Sequence, residues 1–225
     1  MSDDLAASLL LVLRLKAFAP TDVVASSLQL PAEEVQVEMS RLADRGWVQH
    51  REGMAAGWSL TTDGRHHGQR LLRAELDAEG TVREVEACYR GFLPLNGELL
   101  SICTDWQTVQ IDGQHVRNDH SDTARDAAVL ARLDSLHGRT LPVLDALADA
   151  LGRFGVYRPR LSHAHEQVRA GNTEWIAKPT LDSYHGTWFE LHEHLLVTLG
   201  RERATETLPQ YVPTQPGPEQ HGERT

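Results

Sequence analysis

The sequence predicts a mainly α-helical chain in two parts: a short unit of helix, helix, hairpin and helix near the N-terminus, then a longer bundle of helices. Three observations predict it. Of the 225 residues 40% are hydrophobic, an ordinary share for a chain that buries a real core, and most of them recur at helical spacing. The clearest β signal is Trp47-Val48-Gln49-His50 and Trp58-Ser59-Leu60 around a loop with two glycines, the pattern of a short hairpin. After residue 201 the chain carries four prolines between Pro209 and Pro218 and few large apolar groups, a composition that lacks the means to pack.

In chain order, Ser2 or Asp3 caps a first helix to about Lys16, with Leu5, Leu9, Val12 and Leu13 inward and Pro20 limiting its end. Thr21 caps a second helix carrying Val23, Val24 and Leu28, and Pro31 suits the first turn of a third, where its missing N–H costs nothing. In that third helix Val35, Met39 and Leu42 share a buried face, Val37, Ser40, Arg41 and Asp44 face outward, and Gly46 stops it. The hairpin follows, and Thr61 opens a fourth helix to about Gly80. This order is that of a winged helix-turn-helix with a small β-hairpin wing.

The bundle begins with a helical stripe from Val85 to Trp106, with Pro94 able to kink or split it. Residues 108 to 122 lack a period and read as a loop. A mostly helical stretch from Ala124 to about Phe154 is expected to be interrupted at Gly138 and Pro142, and another helix runs from Tyr157 to Ala170. Trp175 to Pro179 is a turn-like bridge. Asp182 then caps a final helix to Gly200 with Trp188, Leu191, Leu195 and Leu199 inward. The expected division is a winged-helix domain at 1–78, an α-helical sensor or dimerisation domain at 79–201, and a disordered tail at 202–225.

LADRGWV, then the hairpin, then SLTTDGR resembles the MarR and PadR groups of winged-helix transcription regulators. In them a Leu-x-x-x-Gly-Leu/Trp-Val turn leads to the wing and Leu-Thr-x-x-Gly-Arg closes it. The resemblance covers about the first third of the chain. It implies a homodimer bound to a two-fold operator in double-stranded DNA. The sequence departs from the MarR pattern at Glu34 and Val37, where small hydroxyl residues and an Arg are common.

Charge bounds the partners. The net charge is −10; residues 1–75 hold 10 acidic and 8 Lys or Arg residues, so this part stands at −2 and the remainder at −8. General coating of nucleic acid or anionic membrane is disfavoured, and any DNA contact belongs to the N-terminal part. Cys88 and Cys103, roughly 22 Å apart on a continuous helix, are beyond disulfide reach. The apolar run Leu5 to Leu15 follows two aspartates, contains Arg14, and is too short to span a bilayer. A reduced cytoplasmic protein without an export signal is expected.

For DNA, Glu33, Gln36, Val37, Ser40 and Arg41 are the groove-facing residues, with His50 and Arg51 of the wing near phosphate or the minor groove. Gln36 suits adenine and Arg41 suits guanine or phosphate. The acidic first turn also favours the helix dipole, so a solvated face is the competing reading. A second set, Asn96, Trp106, Tyr184, His185, Trp188 and His192, is a candidate pocket for a small polar or aromatic effector, or a group of polar core residues that satisfy one another. In the final helix His185 and His192 share a face and His194 points away. His163, His165, His185, His192 and His194 offer imidazoles for a metal, but no His-Glu-x-x-His or Cys-x-x-Cys spacing supports one. No phosphate loop, nucleophile elbow or dinucleotide fingerprint is present, so neither catalysis nor a cofactor is expected. The sequence reads as a winged-helix transcription regulator; the alternatives are a winged-helix module that docks on protein and a His-dependent metal-binding protein.

Overall fold

In the computed structural model, which describes residues 3–53, 56–111 and 113–201, helical spacing becomes helices almost everywhere. The chain is mainly helical. Helix α1 (Asp3–Lys16) buries Leu9, Leu10 and Leu13, and α2 (Thr21–Leu28) and α3 (Ala32–Asp44) follow. The antiparallel pair β1 (Val48–Arg51) and β2 (Gly57–Leu60) runs in register Val48↔Leu60 to Arg51↔Gly57. Ala19 bridges to Trp58 as a further antiparallel contact. Helix α4 (Thr62–Glu79) starts on the Thr61 hydroxyl, which accepts from the Gly64 N–H, and ends at Gly80 in the left-handed region.

The caps of α2 and α3 differ from their sequence expectation. Pro20 and Pro31, not Thr21 and a first-turn proline, hold the N-cap positions of α2 and α3. Thr21 is free of capping because its hydroxyl is used between elements: it accepts from the Trp58 indole N–H at 3.0 Å and donates to Gln36 Oε1 at 2.7 Å. Gly46, at φ +72°, ends α3 as expected.

Beyond α4, α5 (Val82–Gln107) is one helix despite Pro94, and α6 (Thr123–Ala150) is one helix despite Gly138 and Pro142. The expected breaks fail because Pro94, Gly138 and Pro142 all face solvent, where water can take the freed carbonyls while the opposite side keeps its buried stripe. The expected loop after α5 is instead a hairpin, β3 (Thr108–Ile111) with β4 (Gln114–Arg117), turning at Gly113 with φ +79°. Then come a 3₁₀ turn (Gly152–Val156), α7 (Tyr157–Arg169), a second 3₁₀ turn (Thr173–Ile176) and α8 (Tyr184–Leu199). The Ser183 hydroxyl, rather than Asp182, caps α8 by accepting from the Gly186 N–H, while Asp182 pairs with Arg160.

Helix α8 organises the larger core. Eleven of its sixteen residues are buried, so all of it but a narrow stripe through Gly186, Phe189, Glu190 and Glu193 is covered by its neighbours. It packs with the stripes of α5, α6 and α7, and Leu76 of α4 joins the same cluster. A separate core holds Leu9, Val24, Val35, Met39, Leu42 and Trp58. Between the two, Ala7 and Leu11 of α1 meet Leu72 of α4 and Val197 of α8. Arg14 pairs with Glu193 at 2.8 Å and Lys16 with Glu190 at 3.1 Å across this seam. Among the described residues no helix is long and apolar enough to cross a membrane. The tail expected at 202–225 lies outside the described residues.

Candidate functional site

The outward face of α3 follows from its inward one. With Val35, Met39 and Leu42 almost fully buried, the 3.6-residue turn sends Glu33, Gln36, Val37, Ser40 and Arg41 to solvent, and Val37 is 51% exposed despite being apolar. Among the described residues nothing from the C-terminal half covers this face. Gln36 is held by the Thr21 hydroxyl at its oxygen, which leaves its NH₂ to solvent. The Ser40 hydroxyl bonds back to the Gln36 carbonyl at 2.9 Å. Arg41 forms an ion pair along the helix with Glu38; the other Glu38 oxygen, Oε2, is buried without a hydrogen-bond partner.

On the hairpin, His50 and Arg51 are both exposed. The His50 ring lies 4.5 Å from that of Trp58, and the Arg51 guanidinium sits over the Phe18 ring at 4.9 Å. The sequence gives no sign of two neighbouring contacts: His67 stacks on Trp47 at 3.6 Å and Arg45 lies over the same indole at 5.1 Å. Such pairings across elements have no local spacing signal. Acidic side chains share the surface, with Asp22, Glu33 and Glu34 in the first turns of α2 and α3.

The second predicted set separates. Asn96 Oδ1 accepts from the Trp188 indole N–H at 3.0 Å, and Phe92 packs against both Trp188 and His192. Tyr184, Trp188, His192 and Asn96 are all buried, so these four are fastened core residues. Trp106 instead meets His120, ring centroids 4.4 Å apart, beside a network in which Asn118 donates to the Trp106 carbonyl and to Asp126. His185 is half-buried, and loss of water lowers its pKa.

Two histidine clusters were not foreseen in their observed form. His137 and His165 stack at 4.1 Å, with His165 Nε2 2.6 Å from Asp134 and His137 Nδ1 3.3 Å from the Tyr184 hydroxyl. Burial first, then the neighbouring His165 and Arg158, push the His137 pKa down to about 4 against an opposing pull from Asp134. His194, expected to point away from the core, is 2% exposed because α8 has no solvent side there. Arg153 Nε donates to its Nε2 at 2.9 Å; since Arg is always a donor, the His194 proton sits on Nδ1 and faces the Tyr157 oxygen at 3.0 Å. Burial and Arg153 hold His194 well below its ordinary pKa. Arg153 also reaches Glu75 of α4 and Thr198 of α8.

Among the described residues no group of three or more His, Cys, Asp or Glu side chains is placed to hold a metal ion. His163 lies edge-on to Trp175 rather than beside His165. Cys88 and Cys103 are free, and burial raises both thiols, Cys103 to about 12, which suppresses the reactive thiolate. No family model matches the sequence, no curated protein matches it and no solved structure matches it.

Proposed function

We propose that residues 1–78 act as a winged-helix module that binds duplex DNA, with α3 entering the major groove and the β1–β2 hairpin alongside it, and that the helical bundle pairs two copies. The observation that carries this reading is the uncovered outward face of α3. A groove-reading helix must be free of its own protein along one side and rigid along the other, and α3 meets both demands. The Trp58, Thr21, Gln36 chain fixes the Gln36 amide, whose oxygen keeps a second lone pair while its NH₂ is free, the two groups a bidentate adenine contact needs. Exposed Leu100, Ile111 and Val116 give the bundle apolar side chains for a second copy. The resemblance of LADRGWV and SLTTDGR to MarR and PadR regulators supports the same assignment.

The test is capture of random genomic fragments by the purified chain at about 150 mM salt, where non-specific electrostatic binding has weakened. Recovery of a motif with two-fold symmetry is the expected result. On that motif Arg41→Ala should cost about 1–3 kcal/mol of affinity in an anisotropy titration; an unchanged titration removes Arg41 from the interface. A second reading, docking on a basic protein surface, draws on the exposed Asp22, Glu33 and Glu34 and on the pairing of Arg41 with Glu38. It predicts that no motif is recovered.

A further inference from the structure

A groove of about 750 Å³ lies between α4 and the end of α8, within the size range of small-molecule sites. His66, Arg70 and Arg73 reach it from one face of α4, at spacings of four and three residues, and Gln69 stands beside them. The far wall is Leu199 and Gly200, and Ala74 and the Asp77 carboxylate complete the lining. Gly200 closes α8 in the left-handed region at φ +69°, and a Cβ on it would come no nearer than ordinary contact, 3.4 Å, to the Gln69 amide nitrogen.

Charge separates the two arginines. Arg73 is held by Asp77 through Nε at 3.1 Å and Nη2 at 3.0 Å, with Glu86 also acting on it. Arg70 touches His67 Nδ1 at 3.2 Å, and no carboxylate among the described residues pairs with it. In a chain of net charge −10, Arg70 is, among the described residues, an exposed guanidinium without a paired carboxylate, since the one carboxylate in the lining, Asp77, is engaged by Arg73. With the imidazole and the amide beside it, it forms a donor set open to an acceptor. A planar fork of N–H groups matches the oxygens of a carboxylate or phosphate, and Leu199 supplies an apolar wall.

We propose that this groove binds a small organic oxyanion, a carboxylate or phosphate ester with a compact apolar body, and that Arg70 is its principal ligand. The site does not depend on the DNA reading, since neither α3 nor the hairpin lines it. Because the groove is open, salt screens the contact and binding is strongest at low ionic strength.

The experiment is calorimetric titration of the full chain with phenyl phosphate and with hexanoate, and with phenol as the uncharged control, at low and at physiological salt. Saturable binding of at least one charged probe with a Kd of about 1 mM or tighter is expected, weakened by salt, with no binding of phenol. Which charged probe binds more tightly identifies the head group. Arg70→Met should weaken binding about tenfold or more while leaving the melting temperature in place, and Arg41→Met should bind as the native chain does. No saturable binding of either charged probe, or equal binding by Arg70→Met, overturns the site. Loss of DNA affinity in Arg70→Met with probe binding intact also overturns it, making Arg70 a phosphate-backbone contact instead.

Discussion

His137 and His194 are imidazoles that the fold keeps uncharged. In the unfolded chain each takes up a proton near pH 6.5, whereas folded His137 resists protonation down to about pH 4 and folded His194 is also held well below its ordinary value. Between these limits the unfolded state binds more protons, so their contribution to stability is full above pH 6.5 and is lost as the pH falls through that window. Urea unfolding at pH 7, 6, 5 and 4.5 should show the loss, of the order of 1–3 kcal/mol from His137 alone. His137→Phe, which keeps a ring against His165, should make the profile shallower. An equally steep profile in the variant would assign the acid sensitivity elsewhere.

At the scale of elements, the close approach of α4 to the chain before β1 depends on a missing side chain. A Cβ at Gly64 would fall 1.8 Å from the Trp47 carbonyl oxygen and one at Gly68 3.1 Å from Leu10 Cβ. Backbone cannot yield as a flexible side chain can, so Gly64→Ala should cost more than about 3 kcal/mol, the upper range of overpacking, and should abolish the α3 surface; a melting temperature equal to native would contradict this. Much of the fold was legible beforehand. The stripes of α1, α3 and α5, the Thr61 and Gly46 signals and the β1–β2 hairpin all rest on local spacing. Pro94, Gly138 and Pro142 carry a local break signal, but the buried stripe on the opposite face of each helix holds it continuous. The β3–β4 hairpin was missed because its short strands have no buried side and so no alternation. The outward residues of α3 were legible, but the Thr21–Gln36 and Arg41–Glu38 bonds that orient them were not. Local spacing puts Trp188 and His192 on the inward side of the last helix and Asn96 on that of α5, but the bond between Trp188 and Asn96 and the packing of His192 on Phe92 belong to the tertiary structure alone. The face of His194, which points away from that of His185 and His192, is covered too, because α8 leaves only its Phe189 and Glu193 edge to solvent.

The whole molecule is joined at the seam of α1, α4 and α8. Leu72 and Val197 supply apolar contact there, and Arg14–Glu193, Lys16–Glu190 and Glu75–Arg153 tie the N-terminal helices to the bundle. Scanning calorimetry should therefore show one transition with equal calorimetric and van't Hoff enthalpies. Leu72→Ala, a buried truncation worth about 2–5 kcal/mol, should split it into two; two transitions in the native chain would mean that the seam does not couple the halves. The enclosure of α8 also has a bearing on biosynthesis. Its side chains are the axle around which three earlier helices close, yet they leave the ribosome after all of them. Until Leu199 has emerged, the nascent bundle carries an open apolar trough, a surface that holdase chaperones recognise, whereas the smaller N-terminal core already has most of its own partners in hand.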